Sequence, residues 1–215
     1  MLSAGYWQKQ EAIIGTAQGR GTTYFVAHHQ QQWVLKHYYR GGLVGKIITD
    51  SYWFTGYKNT RAAREFLLLN TLAKLGLPAP KPIAYKIAKS ALTYRADILT
   101  SRINHAQDLV AILSKQTITA DVWGKIGACI KSFHHHGIYH HDLNAHNILI
   151  DDDEKVWLID FDRGEQRQPA HQWQQANLDR LLRSFLKEQQ KLTHFHWHED
   201  NWQLLLEGYL KASLD

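Results

Sequence analysis

The stretch His140–Asp162, HHDLNAHNILIDDDEKVWLIDFD, constrains this chain more than any other. Two short apolar runs, Asn147–Ile150 and Val156–Asp160, flank the acidic turn Asp151–Lys155, a pattern that predicts a β-hairpin. Asn147 lies five residues after Asp142, and Asp160 lies 18 after it (160 − 142). Asp142, Asn147 and Asp160 all offer hard oxygen atoms, the donor type that suits Mg²⁺. A carboxylate can also orient a hydroxyl and take its proton. The plainer alternative is that all three cap turns and strand ends, as Asx residues often do.

The chain divides near residue 97. In the first part, Thr22–Ala27 and Gln32–Tyr38 are short, aromatic and β-branched, and read as strands. Thr60–Leu75 reads as a helix, with Ala62, Phe66, Leu69 and Ala73 at helical spacing and with Gly76 and Pro78 to stop it. Pro78, Pro80 and Pro82 form an extended connector, and residues 83–103 read as two more strands. The second part is mostly helical. Thr119–His136 carries Val122, Ile126, Ile130 and Phe133 on one stripe, with Thr119 as N-cap and Gly137 past the end. Gln174–Gln190 and Asp200–Ala212 are two further amphipathic helices. The expected fold is therefore α+β and bilobal: a β-rich lobe over residues 1–99 with one long helix, then a helical lobe over 100–215.

Charge follows the same division. Residues 1–96 hold 13 Lys+Arg against 3 Asp+Glu, and residues 97–215 hold 12 against 17, so +10 and −5 give the net +5. A basic front half predicts an anionic partner, and an acidic back half leaves room for a metal. Lysines that merely solvate a small lobe are the alternative. The single cysteine, Cys129, excludes a disulfide framework and reads as core. No run approaches 18 apolar residues, and the first residues, MLSAGYWQKQEAII, carry no basic-then-apolar leader, so neither a membrane span nor secretion is expected.

His140–Asp162 resembles the protein-kinase catalytic loop H-x-D-L-x-x-x-N followed by D-F-G. The resemblance makes Asp142 the base that takes the acceptor proton, and Asn147 and Asp160 the holders of Mg²⁺ against the phosphates of ATP. The front lobe would supply the other nucleotide contacts. Gly19–Val26 resembles G-x-G-x-x-G-x-V with Tyr24 in place of the third glycine, so Gly19 and Gly21 would let backbone N–H groups approach phosphate. Trp33–Lys36 resembles V-A-I-K, which points Lys36 at the α/β-phosphates with Glu65 as its partner. Arg40 or Lys46 could supply that cation instead, and Glu65 could be a solvated helix charge. Leu99–Arg102, including Leu99 and Ser101, occupies the place of the hinge that reads adenine, and Asp108 could accept from a ribose hydroxyl. After Asp160 only 55 residues remain and no A-P-E follows; His141 and Asp162 replace the usual Arg and Gly. Those departures favour a constitutively competent kinase of small substrates over a protein kinase.

The runs RGTTYFV, LKHYYRGGLVGK, GLPAPKPIAY, ADILT, AQDL, HHDLNAHNILID and WLIDFDRG are similar to those of the 3-deoxy-D-manno-octulosonic acid (Kdo) kinases of the lipopolysaccharide kinase family, from about Tyr6 to Leu210. That resemblance implies phosphorylation of the 4-hydroxyl of Kdo on a lipid A precursor, with ATP and Mg²⁺, in a Gram-negative bacterium. Family members can carry residues before the first strand, and this chain is expected to begin almost at that strand and to lack such a piece. Arg40, Lys46, Lys58, Arg61 and Arg64 cluster about Gly41–Tyr57, where Arg40, Lys46 and Arg61 could bind the acidic sugar and its phosphates. Trp53, Phe54 and Tyr57 beside those cations suit the anionic cytoplasmic face of the inner membrane and peripheral attachment there. The alternative is that Trp53 and Phe54 pack under the sheet.

The dense histidines favour no zinc site. His140 is expected to prop the catalytic loop, and His194–His198 to lie on the surface. The rival readings are a kinase of another small molecule or of an RNA-linked protein, an inactive nucleotide-binding module, and a nucleic-acid binder suggested by a pI near 9.2. No nucleic-acid motif supports the last, and no protein partner is inferred.

Overall fold

A computed structural model describes residues 2–18, 21–40 and 50–212. Two compact units emerge: Met1–Thr71 with Pro80–Asn104, and Leu72–Ala79 with His105–Asp215. The first unit is sheet-rich and the second mostly helical, an α+β, kinase-like arrangement.

The first unit begins with α1 (Ala4–Lys9), whose N-cap Ser3 accepts from the Tyr6 N–H, and β1 (Ile13–Gln18). β2 (Thr22–His28), β3 (Gln31–His37), β4 (Tyr52–Trp53), β5 (Pro82–Ser90) and β6 (Thr93–Ser101) complete an antiparallel sheet of order β1-β2-β3-β6-β4, with β5 also on β6. A short helix, α1, and a strand, β1, precede β2, the first strand expected from the sequence. Trp7 of α1 meets Trp33 edge-on at 5.9 Å. With Val26, Leu35 and Leu99, this pair forms a buried cluster that pins α1 to the sheet.

Helix α2 (Arg61–Lys74) ends as the sequence predicts. Gly76 has φ +69, its N–H bonds the Ala73 carbonyl, and the Leu77 N–H bonds the Leu72 carbonyl, which makes a Schellman stop. Its buried face is not the expected one, because Ala73 is exposed and Phe66 half-buried against Tyr85. The buried stripe is Ala62, Glu65, Leu69 and Leu72, with Ala63 and Leu68 beside it. A carboxylate therefore sits within the apolar face.

The second unit runs β7 (Ala106–Asp108), α3 (Leu109–Leu113), α4 (Ala120–His135), β8 (Ile138–Tyr139), β9 (Ile148–Asp151), β10 (Val156–Leu158), β11 (Glu165–Gln166), α5 (His171–Lys191) and α6 (Glu199–Lys211). Thr119 caps α4 by accepting from Val122 N–H at 3.3 Å, and all four expected stripe residues are buried. Helices α4 and α6 cross where Gly127 meets the Leu205 backbone and Gly208 meets Gly124. β9 and β10 form the expected hairpin, pairing Val156 with Ile150 and Leu158 with Ile148. Its turn is fixed by Asp151, which accepts from the N–H groups of Asp153 and Lys155 and from the Trp157 indole.

Candidate active site

The hairpin register brings Asn147 beside Asp160, and the Asn147 side chain ties the Asp142 backbone to them. Beyond the Leu158–Ile148 pair, the Ile159 N–H donates to the Asn147 carbonyl at 3.0 Å, so Asp160 leaves β10 beside Asn147. Asn147 Nδ2 donates to the Asp142 carbonyl at 2.9 Å, and Asn144 Nδ2 does the same. Because the amide nitrogen of Asn147 is engaged, its Oδ1 is the atom left for a cation. Asp160 is exposed and holds φ +61, a left-handed conformation that Asp tolerates better than most residues. Phe161 turns inward, 4.8 Å from the His140 ring and stacked on Phe133 at 5.6 Å.

His140 props this loop, as expected. Its Nδ1 accepts from the Asp142 N–H at 3.2 Å, which leaves Nε2 to donate to the Ile159 carbonyl at 2.9 Å. One neutral tautomer satisfies both bonds, and burial pushes its pKa down. Asn177 of α5 exchanges two hydrogen bonds with the His140 backbone, at 3.1 and 3.2 Å. It also reaches the ring of buried His134, whose other nitrogen meets the Tyr209 hydroxyl at 2.9 Å. The loop is thereby bolted to α4, α5 and α6. Burial lowers the His134 pKa to about 4, so this chain of contacts runs through a neutral ring near pH 7.

On the Asp142 carboxylate sits Arg180 of α5. Its Nε donates to Oδ1 at 3.0 Å, and its Nη2 closes on the same oxygen. Neither Arg180 nor Asn177 stands out in the sequence. Helix α5 is legible as amphipathic, but no short motif ties its polar residues to a loop 38 positions earlier.

In the first unit, Lys36 Nζ lies 2.9 and 3.0 Å from the two oxygens of buried Glu65, and the Tyr38 hydroxyl donates to Glu65 Oε2 at 2.6 Å. Glu65 is only 4% exposed, so the solvated-charge alternative does not describe it. Gly21 stands under the Tyr39 ring, where a side chain would collide; Gly19 and Arg20 lie outside the described residues.

Leu99 and Ser101 belong to β6 itself, not to a connector after it. Leu99 is fully buried, and the Ser101 N–H is spent on the Lys81 carbonyl at 2.8 Å. The strand expected to end near Ile98 thus runs on through Ser101. Asp108 caps α3 through the Ala111 N–H and faces His146 at 3.4 Å. Arg40 and Arg61 each stand 5.0 Å from the centroid of the Tyr52 ring, and Arg61 also bonds the Tyr52 hydroxyl. Lys46 lies outside the described residues. Cys129 donates to the Val156 carbonyl, and burial raises its pKa to about 12, which suits packing and not nucleophilic chemistry.

Residues 4–209 match the lipopolysaccharide kinase (Kdo/WaaP) family. The chain is 48% identical over 208 residues to a 3-deoxy-D-manno-octulosonic acid kinase of Vibrio parahaemolyticus, covering 97% of this chain and 87% of that one. Proteins of the same name from Mannheimia succiniciproducens and Haemophilus influenzae are 49% and 46% identical, over 95% and 97% of this chain and 87% and 89% of theirs.

Proposed function

The chain belongs to the lipopolysaccharide kinase (Kdo/WaaP) family and is an ATP-dependent phosphotransferase, and from that premise we propose that it phosphorylates the 4-hydroxyl of Kdo on a lipid A precursor. The observation that carries this reading is the register that sets Asn147 beside Asp160, with the Asn147 side chain tied to the Asp142 backbone.

Asp142 accepts the proton of the sugar hydroxyl while that oxygen bonds the γ-phosphorus and the bond to the β-phosphate oxygen breaks, releasing ADP. The His140 brace, the two amides on the Asp142 carbonyl and Arg180 hold the carboxylate in place before the acceptor arrives. Asn147 Oδ1 and the Asp160 carboxylate are the hard oxygens that would hold Mg²⁺, and nucleotide oxygens would complete its shell. Bound there, Mg²⁺ would neutralise charge developing on the phosphates. Among the described residues no group of three or more His, Cys, Asp or Glu gathers around a metal position, so the assignment rests on this pair. Lys36, held by Glu65, would supply positive charge for the α/β-phosphates, and Arg40 and Arg61 would bind the acidic acceptor.

No helix among the described residues is long and apolar enough to cross a membrane. Trp53 and Tyr57 are 68% and 61% exposed beside exposed Lys58 and Arg64, which supports peripheral attachment to an anionic membrane, whereas Phe54 is half-buried against Tyr94. Mass spectrometry of a Kdo-bearing lipid A precursor, incubated with protein, ATP and Mg²⁺, tests the function. One added phosphate on the Kdo 4-oxygen is expected. An unmodified acceptor, with transfer to a different small molecule, would sink the reading.

A further inference from the structure

Arg180 is joined to the Asp142 carboxylate, yet none of the sequence motifs described above includes it. Both of its bonds fall on one oxygen, Oδ1 of Asp142, so Oδ2 is the oxygen it leaves for an acceptor hydroxyl. Among the described residues, Asp142 is the only hydrogen-bond partner of this guanidinium, and the side chain is 46% exposed. Its remaining N–H groups make no hydrogen bond to another described residue, on a side chain that is half exposed next to that carboxylate. A planar fork of this kind matches a carboxylate better than any other side chain does.

We propose that Arg180 is a positioning and specificity-determining residue: it fixes the Asp142 carboxylate with Oδ2 toward the acceptor and selects acceptors that carry an acidic group near the reacting hydroxyl. Kdo is such an acceptor, being a sugar acid, and in naming it the inference rests on the function proposed above. Water is a poor substitute for this acceptor, because it brings no anion to engage the rest of the fork. Lysine could keep the charge but could not bridge two partners in one plane.

The experiment compares wild type, R180A and R180K on a Kdo-bearing lipid A precursor and on the same acceptor with its carboxylate converted to the amide. Wild type is expected to favour the acid by about tenfold or more, as bonds to charged groups do. R180A is expected to lose kcat by about 10- to 100-fold through the freed carboxylate. Its preference for the acid should vanish while KM for ATP stays unchanged. R180K should recover part of the acid preference and little of kcat. A merely structural role would lower activity on both acceptors alike and leave their ratio intact. If R180A melts below wild type, R180K carries the same comparison. An active wild type matched by R180A in both kcat and acid preference overturns the inference alone. A wild type inactive on the Kdo acceptor overturns the proposed function, and the inference with it.

Discussion

Lys36 Nζ sits within 3.0 Å of both carboxylate oxygens of Glu65, and Glu65 lies in the buried stripe of α2. A carboxylate there costs desolvation, which only a charged partner and a hydrogen-bonded hydroxyl can offset. Lys36 and the Tyr38 hydroxyl are those partners. Glu65→Gln should therefore let Lys36 wander and raise KM for ATP by about tenfold, the order expected of a lost charged bond. Lys36→Met should do at least as much and also lower the melting temperature by stranding Glu65. The double variant should cost less than the sum of the singles, because each already removes the shared bond. Additive losses of ATP affinity would count against the pair acting as a unit.

Asp160 and Asn147 should make separable contributions. Asp160→Ala should reduce kcat by at least about a thousandfold, as expected when charge stabilisation of a phosphoryl group is removed. Its melting temperature should stay within a few degrees of wild type, since the side chain is exposed. Asn147→Ala loses both the amide oxygen and the bond to the Asp142 carbonyl. A titration of kcat against Mg²⁺ should therefore show a higher half-saturating concentration and a lower plateau. An unchanged Mg²⁺ dependence in both variants would remove the metal from this pair.

The elements that sequence reveals here are those whose cause is local. Helix α4 is legible because its apolar spacing, the Thr119 cap and Gly137 all lie within its own span. The closeness of Asn147 and Asp160 is legible because a two-stranded hairpin dictates it. The rest depends on distant partners. Helix α1 and β1 are held by Trp7 against Trp33, a contact no periodicity announces. The buried face of α2 is misread because its decisive member is a glutamate, whose burial makes sense only once Lys36 and Tyr38 are placed beside it. Arg180 and Asn177 are invisible for the same reason: their roles are long-range bonds from an ordinary-looking helix.

Gly127 sets how closely α4 and α6 approach. A Cβ at that position would overlap the Leu205 carbonyl oxygen, which is backbone and cannot swing aside. Gly127→Ala must then push the helices apart and loosen Leu205, Tyr209 and the Tyr209–His134 bond. Overpacking of this kind costs about 1–3 kcal/mol. Urea denaturation should show a lower midpoint with an unchanged slope. A midpoint equal to wild type would mean that the crossing is looser than it stands.

Membrane attachment should draw on both aromatics and charge. Trp53 and Tyr57 are exposed, and Lys89 stands 4.8 Å over the Phe54 ring beside them. Flotation with anionic liposomes at low salt should carry the protein upward, and added salt should weaken this by screening the cations. The double change Trp53→Ala, Tyr57→Ala should reduce the floated fraction even at low salt while leaving the melting temperature alone. No flotation of wild type on anionic vesicles at low salt would end this assignment.

His134 should make the second unit acid-labile. Its ring faces the Tyr209 hydroxyl, Asn177 and the Trp173 ring, with Lys131 and His140 nearby, and among the described residues no carboxylate bonds it to welcome a proton. The folded pKa of about 4 lies below the unfolded value of 6.5. Between those values the unfolded chain binds the proton and the folded chain does not, so stability is intact above pH 6.5 and drains away as pH falls toward 4. That loss amounts to about 3 kcal/mol from this ring, and His140, also lowered, adds to it. His37, raised by Asp97 and Asp50, and His146, raised by Asp108 and Glu188, act with the opposite sign. Their contribution is full below pH 6.5 and fades as pH rises through their elevated values. Unfolding free energies of wild type and His134→Gln at several pH values separate the two effects. His134→Gln should start less stable near neutrality, yet lose less between pH 6.5 and 4 than wild type does. Parallel slopes for the two proteins would show that some other group, and not this buried imidazole, governs the acid limb.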